Sequence, residues 1–515
     1  MFRGLIVACV LASSAQAQAP RSAIDWLSES LLQPPNFVIT PPLKNTPSFD
    51  TGISVVPLDQ ISREAVGLLP ANSTGFPVNL WQGLNSAQAA DLLSQISAGP
   101  IPEVQSLYRQ VLLAQSNPPK SDDPSTSLLL TRIDLLVGMG ALEEAEALIR
   151  LAGATEPEIF RRWFEITLIG QRTRAPCSAL REQPTLSTDV ATRTICLARS
   201  GDWNAAALTV SLAESLGSVS QKDADLLVRF LDPEMFSNLP DPGNPVPLDA
   251  ITFALRESLG LPRPESGLSL PYLNADMNLR TPARQRILAA ERLVRANAVP
   301  VPLVFAAYRG ARAASSGGVW GRAELVQALD KALINEDEAA LALAFMEAMV
   351  AFQDAGLIHA FALEYADALA HYPPDPETGQ VAQHIRKVLL LANRPIAVWV
   401  GIGPENSAEM ELAIQLASHT TISGISPYDN QISNAIHAAF SNLTPSRREL
   451  PELLAQIDSG EFGIVLLRAI DLLSNGQAAD PRDLHEGLFL LIKLGLDTSA
   501  RRIAIQLLLL EPAPA

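Results

Sequence analysis

Apolar residues recur at helical spacing along much of this 515-residue chain, and the clearest stretch runs from Ser125 to Pro157. Leu129, Ile133 and Leu136 share one face of a predicted helix. Gly138 and Gly140 interrupt it, since glycine readily takes the positive φ that ends a helix. A second helix follows, with Glu143 and Glu144 in its first turn, where the helix dipole favours negative charge. Ala145, Ile149 and Ala152 line its inner face, and Pro157 closes the unit. Small residues at two of those three inner positions let antiparallel helices approach closely.

Gly140, Ala145, Ile149, Ala152 and Pro157 fall on the glycine, alanine, large apolar, alanine and proline positions of a tetratricopeptide repeat, which this unit resembles mainly in its second half. Arg132 and Ile133 depart from that pattern, which prefers leucine and a small residue there. One such unit cannot bury its own apolar face, so the resemblance implies neighbouring units. Gly201 is followed by Ala206, Val210 and Ala213; Gly356 by Tyr365, Ala368 and Pro373; Gly495 by Ala500, Ala504, Leu507 and Pro512. The expected fold is therefore all-α: a TPR-like α/α helical-repeat solenoid in two blocks behind a proline-rich N-terminal extension.

The chain divides accordingly. Residues 1–17 read as a signal peptide and 18–120 as a proline-rich extension with short helices. Residues 121–232 form a first helical-repeat block, 233–320 a proline-rich linker with isolated helices, and 321–515 a second block. Within these, Ser86 is expected to cap a helix starting at Ala87, Ile101 to Leu113 to form another, and Ile159 to Ile169 a third. Phe76 and Trp81, beside Gly and Pro, read as loop anchors rather than a ligand-stacking surface. Asp249 to Leu259 reads as one isolated helix among eight prolines between positions 233 and 275. Pro395 to Gly403 is the most strand-like run.

Composition narrows the picture. Aromatics are only 5% of the chain, which favours close helix packing over a β-sandwich. A net charge of -17 opposes binding to nucleic acid or an anionic membrane surface. Arg3, the apolar run Leu5 to Ala12 and the small-x-small Ala15-Gln16-Ala17 predict signal cleavage after Ala17 and a periplasmic mature protein. Too little apolar sequence precedes Cys9 for a lipoprotein signal. No later stretch is apolar for long enough to insert in a membrane. The mature chain keeps Cys177 and Cys196, which an oxidising compartment allows to pair, or which stay as two free buried thiols.

No catalytic, cofactor-binding or metal-ligating motif emerges. Gly401-Ile402-Gly403-Pro404 has Asn406 where a dinucleotide loop needs its third glycine, and it reads instead as a helix start with Asn406 and Glu409 as capping box. The histidines, His359, His371, His384, His419, His437 and His485, contain no i, i+4 pair. Glu214-Ser215, Glu257-Ser258 and Glu265-Ser266 lack the glycine-leucine-methionine-glutamine segment that follows the catalytic glutamate-serine of periplasmic lytic transglycosylases, so similarity to those enzymes covers a helical superhelix only. The sequence leans away from an enzyme. It points to an exported scaffold or assembly factor that binds an envelope protein or peptide, the alternative being a peptidoglycan- or carbohydrate-acting protein with a divergent active site.

Overall fold

Several helices begin where a short polar side chain takes up a free backbone amide. Asn85 accepts from Gln88 N while the Gln88 side chain answers to Asn85 N, a reciprocal cap. Asp189, Asp202, Ser220, Asp249 and Ser407 each take one amide in the same way. Pro102, Pro157 and Pro481 occupy first helical positions, where proline's missing N–H loses no bond. The computed structural model describes residues 62–97, 99–120, 127–241, 243–264, 267–312, 317–371, 379–396, 406–420, 422 and 428–511. Among them the chain is helix and loop without a strand, and Leu69 and Ala114 form an isolated bridge.

Counting helices of at least nine residues, α1 (Ser86–Gln95) and α2 (Pro102–Leu113) lead into α3 (Ser127–Gly138), α4 (Leu142–Ala152) and α5 (Pro157–Ile169). Next come α6 (Arg174–Glu182), α7 (Val190–Arg199), α8 (Trp203–Ser215) and α9 (Gln221–Leu231). The proline-rich region holds α10 (Ala250–Ser258) and is followed by α11 (Ala283–Arg295) and α12 (Val301–Arg309). Then α13 (Gly318–Ile334) and α14 (Glu338–Asp354) form the longest hairpin, ahead of α15 (Ile358–Ala370) and α16 (Gly379–Leu391). The chain continues through α17 (Ala408–Ala417), α18 (Gln431–Phe440), α19 (Leu450–Asp458), α20 (Phe462–Leu473), α21 (Pro481–Lys493) and α22 (Asp497–Leu509).

The four turn glycines adopt one conformation. Gly140, Gly201, Gly356 and Gly495 have φ of 82°, 91°, 65° and 80°, two residues past the ends of α3, α7, α14 and α21. At Gly140 the amide bonds to the Val137 carbonyl and the next amide to the Leu136 carbonyl, closing the helix with paired bonds. Leu129, Ile133, Leu136, Ala145 and Ile149 are fully buried, as their spacing predicts. The same turn also closes helices at Gly217, Gly260 and Gly460, and at Asn297 and Asn393 without glycine. The hairpin around Gly356 differs from the one around Gly140: α14 packs mainly on α13 and α15 on α16, with less between α14 and α15.

The first helices also pack on the last. α2 lies against α20 and α22. Glu103 N donates to Gln506 Oε1 over 2.8 Å, across 403 positions of sequence. Gln82 Nε2 donates to the Ser459 carbonyl at 2.8 Å. Phe76 and Trp81 are buried, and Phe76 packs on Phe462 with ring centroids 5.9 Å apart, so both aromatics anchor a loop to the core. Gly463 permits this approach, because a Cβ there would stand 2.2 Å from the Leu80 carbonyl oxygen. A strictly linear stack touches only sequence neighbours; here the two ends of the described chain meet.

The proline-rich stretch has few helical partners for its carbonyls, and arginines supply them. Arg256, 3% exposed, donates to Gly243 O at 2.9 Å and Pro262 O at 2.8 Å and forks onto Asp241. Arg292 donates to Leu268 O at 2.7 Å, and Tyr272 Oη to Leu248 O at 2.6 Å. Thus α10 is not isolated. It packs on α5 and α9, and Leu255 enters their apolar cluster.

Two capping expectations are corrected. Asn85, not Ser86, caps α1, and Ser86 turns inward to Glu64 and Ser127. Ser407, not Asn406 with Glu409, caps α17 by accepting from Met410 N at 3.2 Å. The signal segment with Ala17, the strand-like run after Ile396, Gly401 to Pro404, Glu265-Ser266, Pro373 and Pro512 lie outside the described residues. No helix among the described residues is long and apolar enough to cross a membrane.

Candidate functional site

The segment from α5 to α9 builds one apolar cluster and one polar recess above it. Phe160, Phe164 and Leu168 of α5, Leu180 of α6, Ile195 of α7, Val210 of α8 and Leu226 of α9 share the cluster. α6 is short and amphipathic: Pro176 and Leu180 face inward, while Arg174 and Arg181 face solvent. It packs on α5 and on the 3₁₀ turn Pro184–Leu186. Its link to α7 is the cysteine pair, with Cys177 Sγ and Cys196 Sγ 2.00 Å apart and their Cα atoms 5.1 Å apart, the separation of a disulfide.

Beside this pair lies a groove of about 1020 Å³ between α6, α7 and the middle of α8. Five arginines line it, Arg172, Arg174, Arg181, Arg193 and Arg199, and no Asp or Glu does among the described residues. Two of the five are engaged. Arg172 pairs with Glu146 at 2.8 Å, and Arg193 holds the Ser187 and Pro184 carbonyls at 2.8 and 2.9 Å. The other three contact hydroxyls at most: Arg181 donates to Ser178 Oγ at 3.2 Å and Arg199 to Thr173 Oγ1 at 3.0 Å. The groove wall partly desolvates Arg199 and lowers its pKa. Leu180, Leu197 and Pro184 give the recess apolar ground between the cations.

An apolar ridge adjoins the groove. Leu208 and Leu212 of α8 and Leu216 at its C-cap stand four residues apart and are 69%, 56% and 72% exposed. Thr209 of the same helix lines the groove. The opposite side of α8 is small and buried, through Ala206, Val210 and Ala213. A ridge of leucines next to unpaired guanidinium groups offers a partner both apolar area and charge-assisted hydrogen bonds.

The residues singled out in the sequence are spread through the fold. Cys177 and Cys196 meet at the groove. Gly201 lies just beyond it, between α7 and α8, whereas Gly140, Gly356 and Gly495 serve other hairpins. The histidines do not converge. His371 and His384 each bond through Nδ1 to the carbonyl four residues back, at 2.7 and 2.8 Å, and His485 contacts Leu443 O at 2.9 Å. His359 is sequestered, and burial lowers its pKa to about 4. No group of three His, Cys, Asp or Glu among the described residues is placed to hold a metal. Glu257 is taken up by Arg263 at 2.6 Å, and Ser215 and Ser258 bond within their own helices.

The arginine groove escaped motif reading, yet it left a signal. From Gln171 to Ser200 the sequence holds five arginines against two acids, Glu182 and Asp189, a local excess of three positive charges in a chain of net charge -17. No protein-family model, no curated protein and no solved structure matches this chain.

Proposed function

We propose that this protein is an exported interaction scaffold of the cell envelope that holds a protein or peptide partner on the surface formed by α6, α7 and α8. The observation that carries the reading is the exposed ridge of Leu208, Leu212 and Leu216 beside a groove lined by arginines. Large leucines left in water along one helix face lose the stabilisation that burial confers, and a docked partner restores it. The N-terminal signal-like segment supports export, and the Cys177–Cys196 pair fits an oxidising compartment. The glycine turns at Gly140, Gly201 and Gly495 support a local helix-pair organisation of the tetratricopeptide kind, in which stacked pairs present a partner-binding face.

Mild cross-linking in native cells, followed by purification of the tagged chain and mass spectrometry, tests this. One dominant envelope partner is expected, and its yield should collapse when Leu208 and Leu212 are both changed to serine. Recovery of the chain alone, or a partner insensitive to that change, defeats the reading. Clearing of a cell-wall substrate in a zymogram would replace it with an enzymatic one.

A further inference from the structure

We propose that the groove between α6 and α7 recognises an extended acidic peptide segment, with two of its carboxylates seated on Arg174 and Arg181. This rests on the interaction reading above and names the chemistry of the partner.

Charge is the first argument. The chain carries net charge -17, yet the groove presents five guanidinium groups and no carboxylate among its described lining residues. Placing like charges around a concave wall is unfavourable unless something offsets them, and a recess of one sign concentrates ions of the other. Arg172 and Arg193 already have protein partners. Arg174, Arg181 and Arg199 are exposed and reach no carboxylate, so their planar forks are free for one from outside.

Geometry is the second. Arg174 and Arg181 are seven positions apart on α6, which places them on one face at a rise of about 10 Å. An extended chain covers that distance in about three residues. A ligand with acidic side chains at i and i+3 therefore meets both arginines in one pass. Leu180 and Leu197 lie in the same recess and accept an apolar side chain between them. Arg199, the last residue of α7, lies at the Arg174 end of the groove through its bond to Thr173 and can reach a third carboxylate or a backbone carbonyl.

The surroundings are the third. A long polyanion would also meet the rest of a chain of net charge -17, whereas a short acidic segment in an otherwise neutral chain would engage the groove alone. The apolar floor and the leucine ridge of α8 also favour a peptide, whose side chains alternate in character, over a uniformly charged polymer.

The test uses the full mature chain and a fluorescein-labelled peptide with glutamates at i and i+3 flanking a leucine, read by anisotropy. The same peptide with glutamines is the control. Binding is expected to weaken by about tenfold or more for the glutamine peptide and in R174Q/R181Q, and to fall steeply with salt. Both arginines are exposed, so the variant should melt with the parent; R174E/R181E provides a second reading if it does not. Equal binding of the glutamine peptide, or unchanged binding in both variants, overturns the proposal. So does tripolyphosphate displacing the peptide more effectively than free tetraglutamate does, since the groove would then read phosphate. A photo-cross-linker in place of Leu212 separates the two readings. A partner captured there in cells despite R174Q/R181Q would end the acidic-segment proposal and leave the scaffold standing; no capture with either protein would end both.

Discussion

Arg132 Nε donates to the Leu112 carbonyl over 2.6 Å, at the point where α2 runs out of its own amide donors. The same guanidinium reaches Ala114 O at 3.0 Å, Val66 O at 2.9 Å and Glu64 O at 3.4 Å, so one side chain serves four carbonyls from two segments. It is fully buried, and burial pushes its pKa down to about 10 against the raising influence of Glu64. Glu64, also buried, accepts from Leu128 N at 3.0 Å at the start of α3. Replacing Arg132 by methionine strands these carbonyls and leaves Glu64 without its cation. The expected loss is about 3–5 kcal/mol in chemical denaturation. In a cycle with E64Q the two losses should not add, because the groups share one cluster. A loss under about 1 kcal/mol, the size of an ordinary hydrogen bond, would mean that water replaces the arginine.

Arg132 also marks how far the sequence could be read. Leu129, Ile133 and Leu136 announce their helix and its buried face through spacing alone, and Gly140 announces the turn. Arg132 stands at a position where the tetratricopeptide pattern wants an apolar residue, and it reads from sequence as a departure from that pattern. Its partners are 66 and 18 positions away, so no local rule could reveal that it replaces an apolar contact with a set of carbonyl bonds. The contact of α2 with α22 was illegible for the same reason. Helix periodicity specifies which face is buried but not against what. In the candidate site, the cysteines were visible by residue type. The arginine groove was visible only as a charge excess whose members face one recess after α6 and α7 are placed side by side.

Gly463 is the second residue of α20, where Leu80 crosses it, and in this first turn glycine costs only part of the about 1 kcal/mol it costs in a helix interior. An alanine there should gain that propensity but must push the Leu80 carbonyl aside from 2.2 Å. The clash involves backbone rather than a flexible side-chain end, so the net outcome is a destabilisation of about 1–3 kcal/mol. Hydrogen exchange should locate the change in 76–84 and α20 together. Unaltered or increased stability of G463A would show that this segment moves away from α20 at little cost.

The Cys177–Cys196 pair encloses a loop with a sequence separation of 19. Cross-linking a loop of that length restricts the unfolded chain enough to stabilise by about 3 kcal/mol in the chain-entropy model. Besides the cysteine pair, α6 and α7 are joined by the Arg199–Thr173 bond and a shared apolar cluster, so opening the bond should loosen one wall of the groove. Thiol labelling of the unfolded, unreduced chain from Gln18 onward, which lacks Cys9, should give no adduct, and C177S/C196S should lose stability and peptide binding together. Two adducts without reductant would establish a pair of free thiols instead.

His359 ties three helices through one acceptor nitrogen. Gln506 Nε2 approaches His359 Nε2 at 3.3 Å, while Gln506 Oε1 takes the amide of Glu103. With the amide so oriented, its NH₂ donates to the ring, which demands an unprotonated Nε2. Arg295 lines the same small cavity and adds a positive charge, with Glu511 the acid on its rim. Burial lowers the folded pKa to about 4, while an unfolded histidine titrates near about 6.5. The unfolded chain therefore takes the proton first as pH falls. Stability from this group is complete above about pH 6.5, declines between 6.5 and 4, and changes no further below the folded value. The total is about 3 kcal/mol for a displacement of about 2.5 pH units at 1.36 kcal/mol each. In H359Q a side-chain oxygen can still accept from Gln506 but does not titrate in this window. The stability difference between parent and variant should therefore tilt toward the variant by up to that amount as pH drops from 7 to 4, whatever the carboxylates common to both proteins do. A difference that stays flat across the window would mean that His359 binds its proton in the folded protein as readily as in the unfolded chain, and that the Gln506 contact gives way without cost.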